Sequence, residues 1–202
     1  MSACQMIVFA KAPAAGFAKT RLIPALGAAG AARLAERLLD NTLAQALAAG
    51  VGPVELCCAP DAGHPAFRRH AAASGVRLAL QGDGDLGERM LRSFERALRE
   101  HDRALLIGTD VPGLDAAYLR DARDALREHD AVFGPAADGG YALVGLRRPI
   151  ASLFDRMPWS TSEVMSITRE RLHAARLRHV ELPVLHDIDE PSDLTTTLEM
   201  LR

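Results

Sequence analysis

The chain is 202 residues long, 49% hydrophobic and 25% charged, the profile of one ordinary globular domain spanning residues 1–202 with room for a full core. A formal net charge of −2 argues against a nucleic-acid binder, which carries a basic excess, and no apolar run reaches the roughly 20 residues that span a bilayer. The first nine residues lack both a basic and a long apolar region, so no signal peptide is expected; Cys4, Cys57 and Cys58, without C-x-x-C spacing, read as thiols of a reducing cytoplasm.

A first strand is expected over 5–10, running directly into Lys11-Ala12-Pro13-Ala14-Ala15-Gly16-Phe17-Ala18-Lys19-Thr20-Arg21-Leu22-Ile23-Pro24. Small residues and one glycine let backbone N–H groups approach an anion closely. Lys11, Lys19 and Arg21 supply three cations in one loop, and the chain's only two lysines are both here. Arginine grips phosphate oxygens in bidentate fashion. A P-loop would need glycine at positions 13 and 18, where Pro13 and Ala18 stand; only Lys19-Thr20 fits it.

A helix over 31–49, a strand over 54–58, a helix over 65–74 and a strand over 76–80 follow. Gly82-Asp83-Gly84-Asp85-Leu86-Gly87 formally satisfies G-x-G-x-x-G, but its two acids would sit beside a pyrophosphate. It reads as a tight turn starting a helix over 86–99, or as a place beside a nucleotide base or ribose, with Arg89 as the residue nearest a ligand. A buried strand over 104–108 leads to Asp110. A carboxylate there can bind Mg²⁺ or Mn²⁺; the other reading is a turn or cap before Pro112. A helix over 116–128 comes next.

Strands over 131–134 and 141–146 are joined through 135–139, too short for a helix, so at least one of them runs antiparallel. The joint carries Asp138-Gly139-Gly140-Tyr141. A hairpin explains Asp138-Gly139, while the second glycine and the tyrosine point to a backbone close to a ligand. Arg147-Arg148 after this strand are local cations for an acceptor phosphate. Trp159, the sole tryptophan, reads as a hydrophobic staple or as a wall of an acceptor pocket. Ser160-x-x-Glu163 has the capping-box pattern, placing a helix start near Thr161 in a helix over 162–174. After a strand over 178–182, Asp187-Ile188-Asp189 in an extended stretch would aim both aspartates one way, toward a metal or into a solvated acidic turn. Glu190-Pro191-Ser192 feeds a last helix over 192–201.

This alternation predicts an α/β fold: a three-layer αβα arrangement around a mostly parallel, mixed sheet with one antiparallel strand. Loops after the carboxyl ends of its strands are where such sheets bind ligands.

Together the motifs F-A-K-A-P-x-x-G-x-x-K-T-R-L, L-G-E-R-M, G-T-D-x-P, D-G-G-Y and D-I-D-x-P-x-D-L resemble the GT-A superfamily of nucleotide-diphosphosugar transferases. Within it the chain is most similar to a small bacterial glycosyltransferase-like family associated with radical-SAM or selenium gene clusters, related to molybdopterin-cofactor and phospholactate guanylyltransferases. The resemblance implies a nucleotide or nucleotide-sugar partner and a small-molecule acceptor, with no nucleic acid and no membrane. It implies nucleotide contacts from Lys11, Ala12, Gly16, Lys19, Arg21, Gly87 and Arg89, and a Mg²⁺ or Mn²⁺ ion held by Asp110 with Asp187 or Asp189. Gly139, Gly140, Tyr141 and Trp159 would border the acceptor. Lys19 and Arg21 would stabilise the leaving group, with Asp138 as general base.

The usual D-x-D of glycosyltransferases is here Thr109-Asp110-Val111, with one acid. Two chemistries therefore stay open: glycosyl transfer from an NDP-sugar, and transfer of an NMP from an NTP to a phosphorylated acceptor with release of pyrophosphate. A non-catalytic nucleotide-binding module is the alternative of another class.

Overall fold

The structure, a computed structural model, describes residues 4–194. Its frame is a sheet of β1 (Cys4–Lys11), β2 (Val54–Ala59), β3 (Arg77–Leu80), β4 (Arg103–Ile107), β5 (Ala131–Pro135), β6 (Tyr141–Leu146) and β7 (His179–Glu181), in the order β3-β2-β1-β4-β6-β5-β7. The helices are α1 (Ile23–Ala49), α2 (Pro65–Ser74), α3 (Leu86–Ala97), α4 (Ala116–Ala125) and α5 (Val164–Ala174). The helix expected over 192–201 lies largely outside the described residues; its start is a short 3-10 turn, Pro191–Asp193.

Period-two alternation sorts the core into two layers. Met6 and Val8 of β1, Leu56 of β2 and Leu105 and Ile107 of β4 pack with Leu39 and Leu43 of α1, Phe67 of α2 and Leu119 of α4. Ile7 and Phe9, Cys57, Ala104 and Leu106 face the other way, toward Met90 and Phe94 of α3 and Met165 and Leu172 of α5. The sheet is thus the middle of three layers, with α1, α2 and α4 on one face and α3 and α5 on the other. All three cysteines are buried, and burial pushes each thiol up to about 12.

One strand is antiparallel, as the short joint requires: β6 runs against β4 and β5, whereas β1, β2, β3, β4, β5 and β7 run together. The chain leaves β1 toward β2 and β3, then returns to β4 on the other side of β1. That reversal opens a crevice at the carboxyl ends of β1 and β4, the place where α/β sheets take ligands.

Two helix starts differ from expectation, and α3 and α4 end two and three residues sooner than expected. α1 starts at Ile23, eight residues early, because Pro24 is tolerated in a first turn and the break is absorbed at Gly27, with φ 68. α5 starts at Val164, not near Thr161, and Ser160 is no cap: it is left-handed at φ 65. Thr161 instead donates its hydroxyl to the Pro158 carbonyl (2.8 Å), and the helix's open N–H at Met165 is taken by the Gly139 carbonyl (2.9 Å). A tertiary contact has replaced the local box.

A buried ionic cluster joins β2 to α3. Glu55 is 1% exposed, pairs with Arg77 (2.6 Å) and accepts hydrogen bonds from Arg96. Among the described residues no helix is long and apolar enough to cross a membrane.

Candidate functional site

The loop after β1 folds back on itself before it reaches its cations. Ala12 donates to the Ala59 carbonyl (2.7 Å), and Phe17 and Ala18 donate to Ala14 (3.0 and 3.2 Å). Buried Ala18 and Leu22 anchor the far side. Between them Lys19 is left-handed, at φ 51 and ψ 45, a conformation that costs a non-glycine residue about 1–2 kcal/mol. That backbone turns its side chain inward, where it is only 5% exposed. Gly16 is also left-handed, at φ 78, with open space where a side chain would be. Lys11 and Arg21 are exposed at the same end of the sheet.

The Lys19 ammonium is held by oxygens from two other segments. It lies 2.7 Å from Asp110 Oδ1 and 3.8 Å from Asp189 Oδ1, and donates to the Ile188 carbonyl at 2.5 Å. Arg21 Nη1 meets Asp189 Oδ2, also at 2.5 Å. The Ile188 N–H donates to the Asp110 carbonyl (2.9 Å), lacing the 187–189 segment to the loop after β4. The period-two expectation for this segment holds. Ile188 is buried with Leu22, Ala31 and Leu38, while its two aspartate neighbours are half-buried on the site side. The Ile188 main-chain groups, which a side-chain reading cannot find, complete the junction.

Asp187 is pushed above the ordinary aspartate range, first by its burial and then by the negative charges of Asp138 and Asp189, with Lys19 pulling the other way. The structure therefore brings Asp110, Asp138, Asp187, Asp189, Lys19 and Arg21 to one end of the sheet. A raised folded pKa makes this group favour folding below its unfolded pKa, a contribution lost as pH rises through the folded value. Asp187→Asn should therefore raise the stability near pH 7 slightly, solvent screening at this half-exposed site keeping the gain small, and the gain should vanish toward pH 3. A thermal melt across that range checks it; a lower melting temperature at pH 7 would count against the repulsion.

The oxygens around Lys19 Nζ are two carboxylates and one carbonyl, a donor set that suits hard divalent cations such as Mg²⁺ or Mn²⁺. Among the described residues no three acidic, histidine or cysteine side chains converge to hold an ion by themselves. A metal here would complete its shell with water and phosphate oxygens.

The glycine turn 82–87 packs beside the first loop. Gln81 donates to the carbonyls of Ala10 (3.2 Å) and Cys57 (3.0 Å), and Arg92 holds the carbonyls of Gln81 (2.7 Å) and Asp83 (3.0 Å). Asp85 and Glu88 form a reciprocal capping box at the start of α3, so the turn-and-helix-start reading describes its geometry. Arg89 donates to the Gly84 carbonyl (2.8 Å). A Cβ on Gly87 would lie 2.7 Å from the Phe154 carbonyl oxygen and 2.9 Å from Trp159 Cζ2. Glycine is needed there for packing.

Trp159 stands edge-on to Tyr141, centroids 6.3 Å apart, and Tyr141 edge-on to Phe133 at 5.3 Å. This aromatic wall flanks the turn after β5. There Asp138 is exposed and accepts the Gly140 N–H (2.8 Å) on Oδ1. Gly139, at φ 90, lies against the backbone of Ser162. Its close approach is thus to α5.

Arg147 and Arg148 do not belong to the site. β6 is antiparallel, so Leu146 pairs with Ala104 at the start of β4, and the arginines emerge at the opposite end of the sheet from Asp110. Arg147 there lines a depression with His101, Asp102, Arg103 and Arg127.

A family profile described as "Uncharacterized protein conserved in bacteria (DUF2064)" matches residues 42–161, more than half of the chain. The chain belongs to the DUF2064 family. The match takes in the Asp110 and Asp138 loops and Trp159. No curated protein sequence matches the chain. Among solved structures, a candidate nucleotide-diphospho-sugar transferase from Desulfovibrio desulfuricans G20 is 28% identical over 100% of this chain and 98% of that one, with a TM-score of 0.86. Two others share the fold alone. CMP:2-keto-3-deoxy-manno-octonic acid synthetase, solved with CTP, is 14% identical over 99% and 98%, TM-score 0.61. Rv0371c from Mycobacterium tuberculosis H37Rv, solved with manganese, is 20% identical over 98% and 99%, TM-score 0.58. DUF2064 is therefore built, in this chain, on the nucleotide-diphosphosugar transferase-like fold expected from the motifs.

Proposed function

We propose that this DUF2064 chain is a single-domain, metal-dependent transferase that holds a nucleotide-activated donor across the carboxyl ends of β1 and β4. The carrying observation is the convergence of Lys19 and Arg21 with Asp110 and Asp189 at the point where the strand order reverses. Cations beside carboxylates in a crevice suit a polyphosphate and its counter-ion. Gly16, with Lys11, Lys19 and Arg21, binds the phosphates, and Arg89 borders the nucleoside side, whereas Gly87 is buried in packing and the Ala12 N–H is already donated to Ala59. A bound divalent ion, held by Asp110 with Asp187 or Asp189, supplies Lewis-acid neutralisation of phosphate charge.

In glycosyl transfer, the acceptor hydroxyl oxygen bonds to the sugar carbon as the bond from that carbon to the diphosphate breaks. The proton passes to Asp138 Oδ2, because Oδ1 already accepts the Gly140 N–H. Lys19 and Arg21 stabilise the departing charge, and Tyr141, Trp159, Gly139 and Gly140 wall the acceptor. The likeness to the Desulfovibrio protein favours this reading. The second reading, nucleotidyl transfer, is favoured by the Lys19-Thr20-Arg21-Leu22 run and by the fold shared with a CTP-bound synthetase. An acceptor phosphate oxygen would bond to the α-phosphorus as pyrophosphate leaves. With Arg147 and Arg148 at the far end of the sheet, exposed Lys11 and Arg21 would have to supply its acceptor cations.

A thermal-shift panel of NTPs and NDP-sugars, with and without Mg²⁺ or Mn²⁺, separates these. Ligand at 100 times Kd adds about 2.7 kcal/mol. A shift confined to NDP-sugars supports glycosyl transfer and one confined to NTPs supports nucleotidyl transfer. No shift with either sinks the proposal, whereas binding without turnover of any donor leaves a nucleotide-binding module. Arg21→Ala should weaken the nucleotide that binds by about 1.5–3 kcal/mol, the worth of a hydrogen bond to a charged group. Unchanged affinity would remove Arg21 from the phosphate grip.

A further inference from the structure

We infer that Lys19 is a resident counter-cation that keeps the Asp110–Asp189 pair closed to divalent metal until phosphate oxygens draw its ammonium away, so that metal and nucleotide enter together. The inference rests on the nucleotide-and-metal reading of this site and adds the order in which the site is filled.

Three observations carry it. First, the Lys19 ammonium occupies the cation position itself, with Asp110 Oδ1, Asp189 Oδ1 and the Ile188 carbonyl around it. A divalent ion placed on the same oxygens would be repelled by the ammonium at close range, although the carboxylates themselves are open to water, Asp110 at 55% and Asp189 at 36% exposed. Second, the lysine is built in. Its side chain is 5% exposed, where lysine is almost never found unless paired, and its backbone is held left-handed at φ 51. Strain of that kind persists only when its surroundings enforce it. Arg21 differs: it is 63% exposed, so its contact with Asp189 is easily exchanged for water or phosphate.

Third, the chain offers too few ligands to compensate for displacing the lysine. Among the described residues no three His, Cys, Asp or Glu side chains converge on one point. Mg²⁺ bound through one or two carboxylates usually takes its remaining ligands from water and substrate phosphates. A polyphosphate answers both needs, giving the metal its missing oxygens and Lys19 a new anionic partner. Lysine suits this exchange, being a compact charge with three rotatable donors on a flexible stem.

The test is direct Mn²⁺ binding without nucleotide, read from the electron paramagnetic resonance signal of free Mn²⁺. The wild-type chain should bind weakly. Lys19→Met and the polar Lys19→Gln should each bind at least tenfold more tightly, with circular dichroism confirming a wild-type fold for whichever is used. The gain should disappear in the Lys19→Gln, Asp110→Asn double variant. Equal affinity in the wild type and both single variants overturns the inference, as does a gain that survives loss of Asp110. Nucleotide binding to the wild type, followed in parallel by thermal shift, keeps the two readings apart. If nucleotides bind but the lysine variants gain nothing, the counter-cation role falls and the nucleotide site stands. If the variants gain Mn²⁺ affinity but no nucleotide binds, the counter-cation role stands and the donor assignment falls.

Discussion

Arg96→Leu should lower the stability of the fold by about 3 kcal/mol, toward the lower end of what removing one partner of a buried ion pair costs. Glu55 is 1% exposed, and Arg96, itself 25% exposed, is the less solvated of its two arginines. After the substitution the carboxylate keeps only Arg77, which is half exposed, and the Cys57 thiol, which donates at 3.2 Å. Glu55→Gln should cost less, because Arg96 and Arg77 can both turn toward water while the amide retains the hydrogen bond from Cys57. For a chain of this length 3 kcal/mol corresponds to a melting point roughly 6–12 °C lower. Urea unfolding of the two variants measures both values, and an unchanged Arg96→Leu would remove any energetic role for the cluster.

The pH dependence has a definite sign. Burial pushes the Glu55 carboxyl up, but the hydrogen bonds from Arg96 and Cys57 and the charges of Arg96 and Arg77 outweigh it and hold the group below its ordinary value. A depressed folded pKa gives stability that is complete above the unfolded pKa and lost as pH falls through the folded one. The wild type should therefore lose this contribution below about pH 4. In Arg96→Leu the burial penalty is less opposed, so Glu55 takes up a proton at higher pH. The deficit of the variant relative to wild type should shrink on acidification.

Glu55 illustrates what the sequence hides. The element pattern was legible because each strand is a short apolar run and each helix repeats at 3.6 residues. All seven strands fall within a residue or two of their expected ends, and the short joint 135–139 identifies the antiparallel pairing. The location of the site was legible too, since Lys19, Asp110 and Asp189 each follow a run that reads as a strand. A single acid inside Val54-Glu55-Leu56-Cys57-Cys58 was the available sign of a buried pair, but its partners lie 22 and 41 residues away, and no local rule finds them. The position of Arg147 and Arg148 was not legible either. The short joint left open which of its two strands is reversed, and because it is β6 the pair emerges at the end of the sheet opposite Asp110 instead of serving an acceptor phosphate. The capping-box pattern at Ser160 failed for the opposite reason: the local signal was present, but Ser160 is turned left-handed and a carbonyl from another loop serves the helix.

That carbonyl belongs to Gly139, and Gly139→Ala should be the more damaging of two neighbouring substitutions, at roughly 3–5 kcal/mol. The left-handed backbone at φ 90 accounts for about 1–3 kcal/mol of strain with any side chain. The rest comes from the new Cβ, which would run into the carbonyl and Cα of Ser162. Those are backbone atoms at the entry to α5, so they cannot rotate aside as a side-chain end would, and moving them pulls the Gly139 carbonyl from the Met165 N–H. Gly140→Ala meets a softer obstacle. Its backbone is not left-handed, and its Cβ would lie 3.2 Å from Asp138 Oδ1, so a carboxylate must give by a few tenths of an ångström. Its stability cost should stay below about 1 kcal/mol. If Asp138 is the general base, however, that displacement should lower turnover while leaving nucleotide affinity intact. The pair therefore separates the two roles of this turn. A melting point that collapses only in Gly139→Ala identifies that glycine as a packing requirement. A Gly140→Ala chain that is stable, binds nucleotide and transfers at the wild-type rate would take Asp138 out of the chemistry.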